Sequence, residues 1–581
     1  MKKLCIILFL SLIAFSSKTQ VVYEDINNTA IYEFLDELAN LKIIEINSVV
    51  KPYSREYIAR KLVEAQLRIR NEELGMRNEL KIKNKEIIFK VSERVKKELR
   101  FYLQEYIPEC RILGRQKDIS YPSSDSSLTY THKLNFLFKK KPDFAVSLNP
   151  LAFQYQDRLF TLSLRPVLGL SYMVNENSSM YQRYWGASGF MYIGKYFGGY
   201  ASLRDNYATQ LLVEPQYLSL GTGGMYKVNE GGRKGGDWSE MRGGVNVSWN
   251  WGSFGLMKDF FTWGNNYHGS NIFSDHAPSF PYIQLHLNPV KWFDFYYIHG
   301  WLASKVVDST RSYWIDDEYR IVYHNKYIAA NMFTFTPVKR LNISFGNSII
   351  YSGDINLAFL IPFMFFKSVD HSSYFNNNAG SNAQMFVDIS SRQIRHLHLY
   401  VSLFIDELKM SRILKKDENN FTSWKFGFRL SDFPIRNLSL TAEYTRTQPM
   451  TYQHYLQVTD FTSNMYNMGN YLRDNSQEIY IALAWKPIRG LVLNGSLTLA
   501  EHGDDIAYYN QAGYDVTKIP FMKNKTWENR QIVFLARYEL VSNIYLWLQY
   551  MNTNRRGDIR FGPEILHGNT NTMMVGVNLG F

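Results

Sequence analysis

The sequence predicts an all-β transmembrane barrel of about 18 antiparallel strands preceded by a small α-helical domain. Three observations carry that expectation. After about residue 131 apolar and polar residues alternate with period 2, the pattern of strands whose two faces meet different surroundings. Aromatic residues make up 16% of the 581 positions against 20% charged, a balance suited to an apolar outer wall with aromatic girdles. No apolar run beyond the first fifteen residues approaches the ~18 that a membrane helix needs.

At the N-terminus, Lys2 and Lys3 precede an apolar run from Leu4 to Phe15, followed by SSKTQ. Residues 1–20 therefore read as a secretory signal peptide, cleaved within Ser17–Gln20. Cys5 lies at the start of the apolar run and not just after it, which argues against a lipoprotein cysteine. With the leader removed only Cys110 remains, so an exported chain without a disulfide must rely on a large core or a closed sheet. The net charge of +12 is spread thinly. It suits basic loops and lipid headgroups, and no concentrated patch for nucleic acid is visible.

Residues 21–119 form the expected helical periplasmic domain. Ile31, Phe34, Leu35, Leu38 and Leu41 follow the helical period. Pro52 breaks the chain, and Ser54 is placed to cap a helix carrying Ile58, Leu62 and Ala65. A third helix from about Glu86 to Tyr106 keeps Val91, Val95, Leu99 and Tyr102 on one side and is expected to stop at Pro108. SYPSSDSSLTY (120–130) reads as a linker, and residues 131–581 as the barrel.

Within the barrel Leu397, Leu399, Val401, Leu403 and Ile405 alternate with His398, Tyr400, Ser402 and Phe404, and the segments 437–445 and 491–499 behave alike. The first set is expected to meet lipid and the second the interior. NPVKWF (288–293), TPVKRL (336–341), FPIRNL (433–438) and KPIRGL (486–491) read as tight turns, since proline cannot donate to a ladder. Between them lie long loops at about 206–241, 265–278, 303–324, 353–380, 409–420, 449–474, 503–523 and 555–570, read as polar and aromatic. Short turns at one mouth and long loops at the other are the outer-membrane pattern. A repeat of roughly 50 residues also fits a propeller, but membrane-length strands such as 394–408 argue against it. About 18 strands are expected, or about 20 if HKLNFLFK (132–139) enters the wall.

The closing segment TMMVGVNLGF puts Met573, Val575, Val577, Leu579 and Phe581 on one parity. Phe581 is expected on the lipid side, in the aromatic girdle, as a terminal signal for the barrel-assembly machinery.

No nucleophile elbow, phosphate loop, HExxH or zinc cysteine pattern is present, so no catalytic residue, metal or cofactor is expected. His396 and His398, two apart on one strand, are expected to point both rings inward and could share a metal; the plainer reading is two polar rings lining the interior among Tyr400 and Asp406. GGRKGGDW (231–238) lacks the Walker spacing and reads as a loop, and Asp504 with Asp505 reads as a solvated acidic pair. Sugar binding needs flat aromatic faces together with amides or charges. Trp263, Asn265, Asn266, Tyr267 and His268 supply both, as do Tyr313, Trp314, Asp316 and Asp317, while Arg555 and Arg556 suit an acidic glycan.

Three stretches carry a family resemblance: IYEFLDELANLKIIEINSVVKPYSREYIARKL (31–62), YWGASGFMYIGKYFGGYASLRDN (184–206) and MKDFFTWGNNYHGSNIFSDHAPSFPYIQLHL (257–287). Together they resemble the Wzi-like capsule assembly family. The third is the most specific, through Lys258, Asp259, Trp263, Gly264, Gly269, Ser274, Ala277 and Pro281. The resemblance implies an 18-stranded outer-membrane barrel with helices at its periplasmic mouth and a lectin-like role without catalysis. Its expected partners are surface polysaccharide, outer-membrane lipid and components of polysaccharide export. The competing expectation is a porin-like diffusion channel with an open bore. A barrel hydrolase or acyltransferase would need a Ser/His/acid cluster, and the helical N-terminus does not resemble a transporter plug.

Overall fold

The computed structural model describes residues 20–77, 91–114, 144–148, 151–156, 159–228, 235–373, 380–413, 415, 417–511 and 513–581. The expected signal peptide up to residue 19, the linker 120–130 and HKLNFLFK lie outside the described residues.

Eighteen antiparallel strands close into one barrel. The wall begins with β1 (Phe160–Val174), β2 (Ser179–Ile193), β3 (Phe197–Ala208), β4 (Gly236–Trp249), β5 (Gly252–Asp259) and β6 (Phe280–Val290). It continues with β7 (Phe293–Leu302), β8 (Lys326–Val338), β9 (Leu341–Ser352), β10 (Asn382–Ser391), β11 (Leu397–Glu407) and β12 (Phe421–Ser431). β13 (Leu438–Thr447), β14 (Ser476–Trp485), β15 (Leu491–Gly503), β16 (Lys525–Val541), β17 (Ile544–Gly557) and β18 (Gly568–Leu579) complete it. Closure is direct: β18 pairs with the upper half of β1, from Met573 opposite Val174 to Leu579 opposite Leu168. The lower edge of β1 takes the short hairpin Phe144–Leu148 and Leu151–Gln156. FAVSLNPLAFQY therefore extends the edge and is not a stave.

Parity assigns the two faces. On β18, Met573, Val575 and Val577 point out and are 44%, 52% and 41% exposed, while Thr570, Thr572 and Gly576 are buried inside. Leu399 and Phe426 are likewise exposed on the outside, with Tyr400 and Lys425 buried inside. A closed sheet with an apolar exterior satisfies every ladder hydrogen bond internally, which a bilayer demands. Phe581 departs from its expected place. The strand ends at Leu579, Gly580 turns the chain with φ +73°, and the Phe581 ring rests 5.5 Å from inward-facing Tyr545. It lines a cavity of about 80 Å³ with Val22 and Arg165 instead of facing lipid.

The N-terminal helices are α1 (Thr29–Asn40), α2 (Arg55–Arg77), α3 (Glu93–Glu105) and α4 (Ile107–Gly114). Their apolar faces share one core of Phe34, Leu35, Leu38, Ile58, Leu62 and Leu99. Ser54 caps α2 by accepting from the Tyr57 amide at 3.1 Å, and Ser92 caps α3 through the Val95 amide. α3 ends at Glu105, before Pro108. That proline sits in the first turn of α4, where its missing N–H costs nothing.

These helices close the short-turn mouth through buried pairs. Arg55 is the hub, 2.6 Å from Glu24 and 2.7 Å from Glu109. Burial alone would raise the Glu24 carboxyl pKa, but Arg55 and Arg165 outweigh it and hold the group below its ordinary value. To the wall run Arg392 to Asp36 at 2.8 Å, Arg165 to Glu105 at 2.5 Å, and the Tyr102 hydroxyl to Glu539 at 3.1 Å.

Candidate functional site

The long-loop mouth is built differently, and the loop after β5 explains why. Asp259 ends that strand held by Arg242 at 2.7 Å, and Arg242 also grips Asp25 of the N-terminal segment. The chain then turns into the bore. Thr262 and Trp263 pair antiparallel with Lys51 and Val50, and the Gly264 amide donates to the Val49 carbonyl at 2.8 Å. Gly264 has φ +97°, and a Cβ there would sit 3.0 Å from Ser270 Oγ, so the turn favours glycine. Ser274 donates to the Gly469 carbonyl at 2.7 Å, and the Tyr452 hydroxyl to the Asn271 carbonyl at 2.7 Å. The loops 260–279 and 448–475 thus interlock across the lumen around Trp263, Phe273, Phe461 and Tyr466.

Trp263, Gly264, Gly269, Ser274 and Ala277 of the motif lie in this plug, and Lys258, Asp259 and Pro281 in the wall strands that flank it. Lys258 donates to Ser279 at 2.7 Å and stands opposite Pro281 in the ladder. Gly269 has φ +73°, and Ala277 is buried.

The same architecture decides the fate of the first candidate cluster. Trp263 is 1% and Asn265 3% exposed. Asn265 donates to Asp388 at 2.5 Å and accepts from Ser48 at 2.6 Å, while Asn266 bonds the Gly264 carbonyl. The Tyr267 and His268 amides donate to Glu443 at 2.6 and 3.1 Å, and Glu443 pairs with Lys425 at 3.0 Å. Tyr267 meets His398 Nδ1 at 2.8 Å, and His268 stacks on Tyr480. All five residues are engaged within the bore. His396 lies apart in the preceding turn with φ +69°, its Nδ1 against the Ser431 carbonyl, whereas His398 meets Ser390 and Arg392, so the two rings do not converge. Among the described residues no group of three or more His, Cys, Asp or Glu is placed to hold a metal.

Tyr313 and Trp314 stand free of the plug. They form a hairpin with Glu318–Arg320, turned by Asp316 and Asp317 at positive φ, and are 51% and 70% exposed. The Trp314 and Tyr319 rings lie 5.2 Å apart on one open face. The hairpin's base is fixed by Asp308, which accepts from Thr310 and from Arg311 Nε at 2.6 Å. Those bonds lower its pKa to about 2. Arg555 faces inward, 6% exposed, with its guanidinium 5.7 Å from the Trp527 ring. Arg556 is turned to solvent, 3.9 Å from Glu528. The structure therefore places the eleven candidate residues apart: five in the plug, four on the hairpin, and Arg555 with Arg556 at the end of β17.

Beside the hairpin's loop lies a cleft of about 310 Å³ that sequence reasoning did not find. This is near the lower end of the ~300–1,000 Å³ typical of small-molecule sites. Its walls come from residues 303–306, 452–474 and 505–507 and from Lys326 of β8. Tyr452 supplies an aromatic ring, Gln453 an amide, and Lys326, Arg473, Asp460 and Asp474 the charges. Lys326 donates to Thr462 at 3.1 Å, Asp474 accepts from Gln453 at 2.9 Å, and Arg473 pairs with Asp505 at 3.3 Å. Burial pushes the Asp460 and Asp474 carboxyls up to about 7. Such a lining matches the hydroxyls and occasional charges of a glycan. Its residues come from three distant loops and, through Lys326, from the start of β8, so no local spacing announces it.

Neither any protein-family model nor any curated protein matches the sequence. Among solved structures the chain is similar to Wzi, an outer membrane protein involved in group 1 capsule assembly in Escherichia coli and described as a carbohydrate-binding β-barrel. The TM-score is 0.51 at 12% identity, over 97% of this chain and 100% of that one. It is also similar to OccD3 (OpdP) of Pseudomonas aeruginosa, with TM-score 0.40, 11% identity, and 72% and 90% of the two chains covered. OccAB2 of Acinetobacter baumannii gives TM-score 0.40 at 8% identity over 72% and 97%. At 12% identity the likeness to Wzi is one of fold.

Proposed function

We propose that this chain is a non-catalytic outer-membrane barrel of a Gram-negative bacterium that binds capsular or other surface polysaccharide at its long-loop mouth and helps hold it at the cell surface. One observation carries the reading: the bore is occupied by the chain's own backbone, with Val50–Lys51 paired to Thr262–Trp263 inside it. A diffusion channel needs a continuous water path, and a segment hydrogen-bonded across the lumen argues against one. What remains open to a ligand is the mouth, where the Trp314 hairpin offers ring faces and the cleft offers amides and charges. The positive net charge favours an acidic polymer. Each contact is weak, and a long glycan gains affinity by engaging several sites and several barrels together. Polysaccharide-export components and the barrel-assembly machinery are the partners this role requires.

Deletion of the gene tests the reading. Polysaccharide should appear in the medium while total synthesis continues, and the intact gene should restore retention. Unchanged retention at the surface would overturn it.

A further inference from the structure

One loop does not lie at the mouth. Residues 355–366, INLAFLIPFMFF, carry no charge, and they fold down over the outside of the wall. The placement follows from parity. On β7, β8 and β9 the residues facing the lumen core are Ile298, Ile328, Met332 and Ile350. The opposite face carries Phe295, Tyr297, Ala329, Ile349 and Tyr351, and these pack on Phe359 and Phe366. β9 shows the consequence within one strand. Phe345, Asn347, Ile349 and Tyr351 share the outward face; Phe345 is 48% exposed, whereas the other three are buried under the segment.

The cover is fastened by polar groups that an apolar wall would not carry. Asn331 donates to the Pro362 and Met364 carbonyls, each at 2.9 Å, and Asn347 accepts from the Phe366 amide at 2.9 Å. The Tyr297 hydroxyl donates to the Phe359 carbonyl at 2.8 Å. Further groups close on themselves: the Phe359 amide donates to the Asn356 carbonyl, that of Ile361 to Ala358, and that of Met364 to Ile361. Irregular backbone in water needs no such provision, because solvent satisfies it. In hydrocarbon each unsatisfied group costs several kcal/mol. Meanwhile the outer side of the strap is apolar, with Leu357 75%, Ile361 48%, Phe363 57% and Phe365 48% exposed.

We infer that residues 355–366 form a strap embedded in the membrane, whose outward side chains contact the acyl chains of the outer leaflet while its backbone is satisfied by a polar stripe on β7–β9. Continuity with the exposed belt at Phe345 identifies lipid as the occupant. The inference rests on the proposed membrane location, and the test separates the two.

The full chain, refolded into phosphatidylcholine vesicles, takes a bimane label at single cysteines in a Cys5→Ala, Cys110→Ala background: Leu357→Cys and Phe363→Cys on the strap, Val575→Cys on the wall, Trp314→Cys on the mouth hairpin. Brominated phosphatidylcholine should lower emission at both strap positions as much as at Val575→Cys and leave Trp314→Cys unchanged. Adding Asn331→Leu, which removes the strap's anchor, should restore part of the strap's emission. Quenching of the strap by aqueous iodide to the extent seen at Trp314→Cys, with Val575→Cys still reached by bromolipid, would overturn the strap alone. Bromolipid quenching that appears only when the protein is diluted would mean that a second copy covers the strap, which also overturns it. Failure of bromolipid at Val575→Cys would remove the membrane reading itself.

Discussion

The two mouths of this barrel are closed by opposite means. At the short-turn mouth, helices seal the wall through buried charge pairs centred on Arg55. At the long-loop mouth, two loops interlock below the rim and leave above them a cleft and a hairpin whose rings face outward. A seal of paired buried charges is intolerant of change, since removing one partner strands the other. A rim of exposed rings tolerates change well and registers it only when a ligand is present. Permanence and contact are thus assigned to different ends of one molecule.

That contrast can be broken at the sealed end first. Arg55→Met leaves Glu24 and Glu109 without their shared cation, and the expected loss is ~3–5 kcal/mol. It should appear as rapid proteolysis of residues 20–114 with the wall intact. Within the plug, Gly264→Val places a branched side chain at φ +97°, at a cost of ~1–3 kcal/mol. Hydrogen exchange at the Gly264 and Trp263 amides should accelerate, with exchange in α1–α4 unchanged. At the open end, Trp314→Ala should weaken glycan binding by about 1.4 kcal/mol, or tenfold, without moving the thermal unfolding midpoint.

The long-loop mouth also responds to pH. Asp460 and Asp474 hold their protons more tightly in the folded loop, near pH 7, than the 3.8 of a free carboxyl. The loop 448–475 is therefore most firmly held below pH 3.8, loosens as pH rises towards 7, and changes no further above that. Greater protease sensitivity of this loop at pH 8 than at pH 5 would check the sign. The hairpin base behaves in the opposite sense: Asp308, at about 2, loses its stabilising bonds only as pH falls from 3.8 through that value.

The wall was legible because a strand's two faces alternate: Val575 and Leu399 lie outside and Tyr400 inside, as period 2 requires. The N-terminal helices were legible through Ile31, Leu35 and Leu62. What escaped was the direction taken by apolar loops. Phe260, Phe261, Trp263 and Phe273 went into the bore, and the run INLAFLIPFMFF went onto the outer wall. Both contain too much apolar surface for solvated loops, and that excess was the available signal. It says that a segment will be covered, but not by which surface, because both are apolar and only the closed sheet decides. Trp263 and Asn265 were singled out for residue types that suit sugars, and the same types suit a packed plug. Phe581 followed parity until Gly580 ended the strand.

The claim that everything else depends on is that the bore is filled, leaving the long-loop mouth as the working surface. Current through the purified full-length chain in a planar bilayer tests this most directly. The account predicts insertion without stepwise conductance, at any polarity and with the N-terminal helices in place. Steady open-channel steps from that same intact chain would contradict it.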